Sequence, residues 1–269
     1  MRITALTENT SSRDCFAKEH GLSLYIEALG RKILFDMGQT DVFLENARRL
    51  GIDLGEAELA VLSHGHYDHG GGLPAFLKIN SRAKVYVSRR AFEPHYHGPE
   101  KYIGLDASLA GSPQLVFAGD REELGPGMTL CSCNSERREH DLGSFGLETL
   151  ENGELVPDDF RHEQYLLIEE NGRRVLFSGC SHKGIMDIVR WFRPDVLVGG
   201  FHFSRLPLDG KLEEYARYLN GFPTEYYTCH CTGLPQFEYM SRFMERLHYL
   251  SGGETVTVDH NGMTCAFSG

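Results

Sequence analysis

Three histidines and an aspartate fall within six residues in Ser63-His64-Gly65-His66-Tyr67-Asp68-His69, directly after the apolar run Leu59-Ala60-Val61-Leu62. Imidazole and carboxylate are the usual donors for zinc, iron and manganese. A strand that ends in such a loop presents several ligands from one rigid edge. His64 and His66, two apart, can grip one ion, while Asp68 and His69 can turn to a second. Two ions about 3.5–4 Å apart would hold a hydroxide between them, and a bound divalent cation brings the pKa of water down to about 7. That supplies a nucleophile without serine or cysteine; Asp68 could instead orient the water as a base. One histidine in a loop is usually a solvated or structural residue. Four donors in this order, followed by Gly70-Gly71-Gly72, favour a metal site.

Three later segments have the same arrangement of a strand running into a polar loop with histidine: Gly179-Cys180-Ser181-His182, Gly200-Phe201-His202 and Cys229-His230-Cys231. Strand ends on one edge of a sheet are neighbours in space, so these segments are expected to converge on one site. The elements that must position them can be read from periodicity. Residues 3–6 form a strand; 22–27 and 32–35 form a hairpin around Leu29-Gly30-Arg31. Phe43, Ala47 and Leu50 line a helix that Gly51 stops, a second helix starts near Pro74, and residues 84–87 make a strand. Asn171-Gly172 joins two apolar runs as a hairpin. Residues 185–192 and 212–219 read as helices around the buried strand 196–198, and Phe237, Met240, Met244 and Leu247 read as one helix face. A hairpin is expected at Asn261-Gly262. Both halves repeat one scheme of hairpins followed by alternating helix and strand, which suggests two packed sheets with helices outside. Residues 91–160 are rich in glycine, proline and charge; they fit a lid, extra strands or a surface excursion. No linker divides the chain, so a single domain over residues 1–269 is expected.

The 269 residues are 41% hydrophobic and 24% charged, enough to bury a full core. A net charge of −11 argues against a general nucleic-acid binder, which needs clustered Lys and Arg. A small basic pocket inside the acidic shell is still open to the pairs Arg89-Arg90, Arg137-Arg138 and Arg173-Arg174, though such pairs are more often solvated surface. Seven cysteines lack framework spacing, and Cys131-x-Cys133 and Cys229-x-Cys231 are not C-x-x-C pairs. They read as reduced thiols in a cytoplasmic protein. The N-terminus has no signal-peptide apolar region, and no apolar run approaches the roughly 20 residues that span a bilayer.

The stretch from Ser63 to Leu73 resembles the H-x-H-x-D-H signature of the metallo-β-lactamase superfamily. Glu19-His20-Gly21-Leu22-Ser23, Leu34-Phe35-Asp36-Met37-Gly38-Gln39, Gly179-Cys180-Ser181-His182-Lys183-Gly184-Ile185, Gly199-Gly200-Phe201-His202 and His230-Cys231-Thr232-Gly233 are similar to one subgroup. It includes the 7,8-dihydropterin-6-methyl-4-(β-D-ribofuranosyl)aminobenzene 5′-phosphate synthases. The resemblance implies an α/β fold: a four-layer αββα sandwich of two mixed β-sheets with helices outside and a dinuclear site at one edge. It implies two divalent metal ions, zinc first, with iron or manganese as alternatives. Carried over by motif, His64 and His66 would bind the first ion, Asp68 and His69 the second, and His230 would be the late ligand.

Two positions depart from the commoner pattern. Cys180 stands where a bridging aspartate is expected, and Arg161-His162-Glu163-Gln164 stands where a middle histidine is expected. His182 is taken as the replacement ligand, with His162 or Glu163 in reserve. Cys180 is either a thiolate ligand or a small buried residue. His202 is expected as a catalytic residue beside Asp68: a proton donor, a phosphate contact or a further ligand. Lys183, at the start of a helix, and Arg205 are the expected phosphate-binding residues. Asn9, Glu19 and His20 are candidate pocket residues; His95-x-His97 lacks a following aspartate and reads as surface.

The function expected from this pattern is a metal-dependent hydrolase-type enzyme acting on a phosphorylated small molecule, pterin-like or nucleotide-like. The alternative is the transferase of the subgroup, which joins a dihydropterin diphosphate to an aminobenzene ribosyl phosphate and expels pyrophosphate. A nuclease is disfavoured by the charge, an iron redox protein by the lack of a flavin module, and a metal-bearing sensor remains a further alternative. No nucleic-acid or membrane partner is expected; a homodimer is an admissible assembly.

Overall fold

Period-two alternation sends Leu166, Ile168, Val175 and Phe177 to one face of a hairpin and Tyr165, Leu167 and Leu176 to the other. In the first half Leu24 and Ile26 face one way and Tyr25 the other. Side chains of a strand alternate between faces, so a strand apolar on both must be covered twice. The computed structural model, which describes residues 1–259 and the backbone of 262–266, shows what covers them.

One eight-stranded sheet runs in the order Gly262–Ala266, Thr255–Asp259, Arg2–Thr7, Ser23–Ala28, Arg31–Phe35, Leu59–Val61, Lys84–Ser88, Leu115–Ala118. A seven-stranded sheet runs Leu247–Tyr249, Glu225–Thr228, Val196–Gly199, Arg173–Gly179, Tyr165–Glu170, Met128–Cys131, Arg121–Gly125. Both are mixed: hairpin-linked strands pair antiparallel, and strands reached through helices pair parallel. Their inner faces share one apolar layer that includes Ile3, Phe35, Val61, Leu130, Phe177 and Val198. The helices Val42–Arg49 and Leu73–Ile79 cover the outer face of the first sheet through Phe43, Ala47 and Phe76. Ile185–Phe192, Gly210–Asn220 and Leu234–Met240 cover the second, with Asp209 capping its helix at Lys211 N and Leu212 N. The result is the αββα sandwich expected. The flank of the first sheet beside Arg2–Thr7 is filled only by the returning strand Thr255–Asp259, with Gly262–Ala266 outside it. The turn expected at Asn261 lies outside the described residues.

Residues 91–160 divide into two parts. Leu115–Ala118 edges the first sheet, and Arg121–Gly125 and Met128–Cys131 edge the second, so the chain passes from sheet to sheet there. The flanking pieces His95–His97, Lys101–Tyr102, Leu147–Glu151 and Glu154–Pro157 form a third, four-stranded sheet. The Phe237-to-Leu247 helix is shorter than expected. It ends at Met240, because Leu247–Tyr249 is drawn into a parallel strand beside Glu225–Thr228, yet Met240 and Met244 still fill the outer core.

The parallel strands ending at Phe35, Val61, Gly179, Gly199 and Thr228 run directly into the polar loops singled out above. Crevices beyond the carboxyl ends of such strands are where open α/β sheets bind ligands. Phe35 and Phe177 meet across the inner layer with ring centroids 5.7 Å apart, just behind this edge. Phe177→Ala is expected to cost about 3–5 kcal/mol, read as a lower urea midpoint with an unchanged slope; a loss under about 1 kcal/mol would show that the sheets are not joined there.

Candidate metal centre

The strand Arg31–Phe35 ends in Asp36, whose side chain is wholly buried. Its Oδ1 accepts from Ser63 N (2.7 Å), and its Oδ2 accepts from Ser63 Oγ (2.7 Å) and His69 Nδ1 (2.7 Å). Because Ser63 Oγ gives its proton to Asp36, it accepts from His64 Nδ1 at 2.8 Å. Both histidines therefore carry their proton on Nδ1 and turn an Nε2 lone pair inward. The glycines that follow allow the loop to fold back: a Cβ on Gly71 or Gly72 would collide with the carbonyl oxygens of Gln39 and Met37.

His69 Nε2 lies 3.1 Å from His230 Nε2 and 3.1 Å from Cys180 Sγ. His230 Nδ1 donates to Asn9 Oδ1 (2.7 Å), so its Nε2 also presents a lone pair, 3.3 Å from Asp68 Oδ2. His20 Nε2 braces the same carboxylate oxygen at 3.2 Å. Two imidazole lone pairs, a carboxylate and a sulfur thus face one point, an arrangement that suits a bound cation. The protonation energetics agree. Burial opposes charge here, yet Asp36 and Asp68 raise the pKa of His69, and His69, His20 and His230 hold Asp68 well below the usual carboxylate range. Positive charge is favoured at this spot.

A second donor set adjoins it. His64, His66 and His182 each bring a nitrogen within 4.8 Å of the others. His64 Nε2, His66 Nε2 and both nitrogens of His182 are buried without a hydrogen-bond partner. Burial first, then neighbouring imidazoles, push His64 and His182 well below their ordinary pKa; burial does the same to His66. All three are neutral near pH 7, the form that ligates a metal. Cys180 sits between the sets, its Sγ also within 4.8 Å of donors from His182 and His202 and of His230 and Cys231. Burial raises the Cys180 thiol. Against burial, hydrogen bonds from Cys180 and His202 hold Cys231 well below the usual thiol value. Asp36, Ser181, His202 and His230 all adopt left-handed φ (59°, 58°, 56° and 49°) at these strand ends. Such strain concentrates where a site over-determines its backbone.

The donors open into a cleft lined by His20, Tyr67, Lys101, Phe145, His202 and Arg205, among others. His202 packs between His182 (4.3 Å) and Phe145 (4.8 Å), and Arg205 Nη1 lies 2.9 Å from His97 Nε2 at the mouth. Lys183 is elsewhere, contrary to expectation. It is 2% exposed and its Nζ donates to the carbonyls of Ser132 (2.5 Å) and Glu163 (2.9 Å), so it joins loops instead of facing a phosphate. Glu163, a reserve ligand, spends both oxygens on His182 N, Lys183 N and Tyr165 Oη. Glu19 accepts from Gln39 N, Thr40 N and Thr40 Oγ1 ahead of a helix and does not line the cleft. His95 is buried, not on the surface, and bonds Asp158. Asp36, Glu8 and Asp158 lie outside the histidine-bearing loops of the sequence. Glu8 accepts from His230 N and Tyr249 Oη. The one local signal is a carboxylate directly after the buried end of a strand, as in Phe35-Asp36 and Thr7-Glu8. Among the described residues the six cysteines are free thiols, and no helix is long and apolar enough to cross a membrane.

A family model described as the metallo-beta-lactamase superfamily matches residues 18–220. A crystal structure described as Tm1679, a metal-dependent hydrolase of the beta-lactamase superfamily, superposes with a TM-score of 0.82 at 32% identity, covering 96% of this chain and 99% of that one. Two proteins of Methanocaldococcus jannaschii are similar in sequence. An uncharacterized protein is 28% identical over 249 residues, covering 89% of this chain and 94% of its own length. A 7,8-dihydropterin-6-methyl-4-(beta-D-ribofuranosyl)-aminobenzene-5'-phosphate synthase is 27% identical over 291 residues, covering 95% and 96%.

The neutral histidines set a pH dependence. Burial pushes His162 down to about 4, from an unfolded value near 6.5. Between these values the unfolded chain takes up protons that the folded chain refuses, so stability falls as pH drops below about 6.5. His64, His66 and His182 act in the same sense, and His69, being raised, in the opposite one. Urea midpoints of metal-free protein should decline from pH 7.5 to 5; a flat profile would contradict this protonation scheme. Lys183→Met should cost about 1–3 kcal/mol in the same assay with KM unchanged; a raised KM at full stability would return Lys183 to the substrate.

Proposed function

The chain belongs to the metallo-β-lactamase superfamily, and on that premise we propose that it is a metal-dependent hydrolase of a phosphorylated small molecule, using two divalent ions. The observation that carries this reading is the convergence of unshared lone pairs from His69 and His230 on the Asp68 carboxylate, beside the orphaned nitrogens of His64 and His182 and the His66 ring that shares their donor set. This donor set fits borderline divalent cations such as zinc. Such ions, when bound, supply an activated water and neutralise charge on the departing group.

The remaining work falls to the chain's own residues. Asp36, Ser63 and Asn9 fix the ring orientations of His69, His64 and His230, and His20 holds Asp68. Arg205 and Lys101 place positive charge along the cleft, which favours an anionic substrate despite the net charge of −11. Tyr67 and Phe145 offer aromatic surface to a flat ring. His202, with Nδ1 buried and unpartnered between His182 and Phe145, is the group best placed to pass a proton to a leaving oxygen. A transferase acting on a dihydropterin diphosphate is the second reading, supported by the synthase that aligns over 95% of the chain and by these aromatic walls.

Metal-loaded protein should turn over bis-p-nitrophenyl phosphate or p-nitrophenyl phosphate. Arg205→Ala should raise KM about tenfold with kcat held, the signature of lost uniform binding. His66→Ala and Asp68→Asn should lose metal and about 100-fold or more in rate. Unchanged metal content and turnover in both would end the metal-enzyme reading. Pyrophosphate release that requires an arylamine acceptor would select the transferase over the hydrolase.

A further inference from the structure

His66 belongs to two donor sets. On one side stand His64 and His182; on the other stand His95, Asp158 and His162, again with one donor atom from each residue within 4.8 Å of the rest. The second set is closed to solvent, with His95 and His162 each 1% exposed and Asp158 5%. It is assembled from the third sheet and its exit: His95 opens the strand His95–His97, Asp158 follows Glu154–Pro157, and His162 precedes Tyr165–Glu170.

The hydrogen bonds determine where the protons are. His162 Nδ1 accepts from Gly65 N at 2.9 Å, so the neutral ring holds its proton on Nε2, which lies 3.3 Å from Asp158 Oδ2 without the alignment of a hydrogen bond. His95 Nδ1 lies 2.8 Å from the same oxygen. A carboxylate only accepts, so His95 carries its proton on Nδ1 and its Nε2 is a bare lone pair. That lone pair is buried without a partner, and so is Nε2 of His66. An unpaired buried donor or acceptor is costly, and these two are complementary if His66 bears its proton on Nε2. The four residues do not make a separate cation site by this account. His162 has no nitrogen to give: Gly65 occupies one and the proton the other.

We propose that Asp158, His95 and His162 are positioning residues for His66. Asp158 sets the tautomer of His95; the bare Nε2 of His95, whose ring adjoins that of His66 edge to face with centroids 5.5 Å apart, favours His66 protonated on Nε2; Nδ1 of His66 is thereby left as the lone pair for a cation in the cleft. His162 braces both Asp158 and the backbone of Gly65, where a Cβ would strike the Ala91 carbonyl. Outer partners of this kind fix ring orientation and raise the basicity of a metal-bound imidazole. The inference rests on the metal reading above and assigns the third sheet a role in it.

Asp158→Asn tests the chain of tautomers. Asp158 Oδ1 already accepts from Phe160 N at 2.7 Å, so an amide keeps its oxygen there and turns its N–H groups toward His95 and His162. His95 must then protonate Nε2, donor against donor with His66. Zinc affinity, measured by competition with a chromophoric chelator, should fall about 10–100-fold. The visible spectrum of the cobalt-substituted protein should shift, and the unfolding curve should survive. His95→Gln, which keeps an acceptor, should retain more affinity than His95→Leu, which does not; a purely structural role predicts no such ordering. Wild-type affinity and spectrum in Asp158→Asn would overturn the proposal. Loss of one whole metal equivalent, with the remaining sites untouched, would overturn it too, by making these residues ligands of an ion of their own. Wild-type protein that takes up no zinc or cobalt would remove the metal reading itself, and this inference with it.

Discussion

The centre depends on the carboxylate of Asp36. It is buried at the end of a strand, in left-handed backbone, and accepts from Ser63 N, Ser63 Oγ and His69 Nδ1. A buried carboxylate is expensive unless its oxygens are paired. Here the pairing partners are themselves the first and last parts of the histidine loop. One group thereby fixes the register between two neighbouring strand ends and the proton positions of two imidazoles. If it is removed, Ser63, His64 and His69 lose their orientation together. The second sheet has a counterpart in Glu163, which holds the backbone of His182 and Lys183. Each sheet contributes a carboxylate that binds no metal in this reading but holds the loop that presents the donors.

Much of the fold was legible because it follows local rules. Alternating apolar residues gave both faces of the strands, Asn171-Gly172 gave its hairpin, and the histidines at 64, 66, 69, 182, 202 and 230 each follow a strand. Sheet edges align strand ends, so their convergence could be inferred without knowing a distance. The failures have a shared cause. Whether a side chain faces the cleft or the interior is set by partners far away in sequence. Lys183 follows His182 by one residue yet turns inward to Ser132, 51 positions distant. His95 meets Asp158 across 63 positions, through a sheet whose short strands carry little periodicity. The methionine stripe at 240–247 showed which residues are buried but not where the helix yields to a strand, because the neighbouring strand decides that.

Cys180 alters the electrostatics of the centre. A bridging carboxylate would be ionised at any physiological pH. Burial raises this thiol, and the low-lying partner is Cys231, one strand away. Cys180 therefore brings less negative charge between the two donor sets than a carboxylate would. A soft ligand in this position also suits softer borderline metals better than magnesium or calcium.

The strand Arg2–Thr7 finds one neighbour within the next twenty-odd residues and the other only in Thr255–Asp259. During synthesis that flank of the first sheet has no partner until Thr255–Asp259 has emerged. An open strand edge is a template for foreign pairing, and non-local pairings form late. The histidine loop at 64–69 is made early, His182 more than a hundred residues later, and His230 shortly before that returning strand. A chain interrupted before residue 230 would hold neither a closed sheet nor a complete set of donors, so structural integrity and chemical competence mature together.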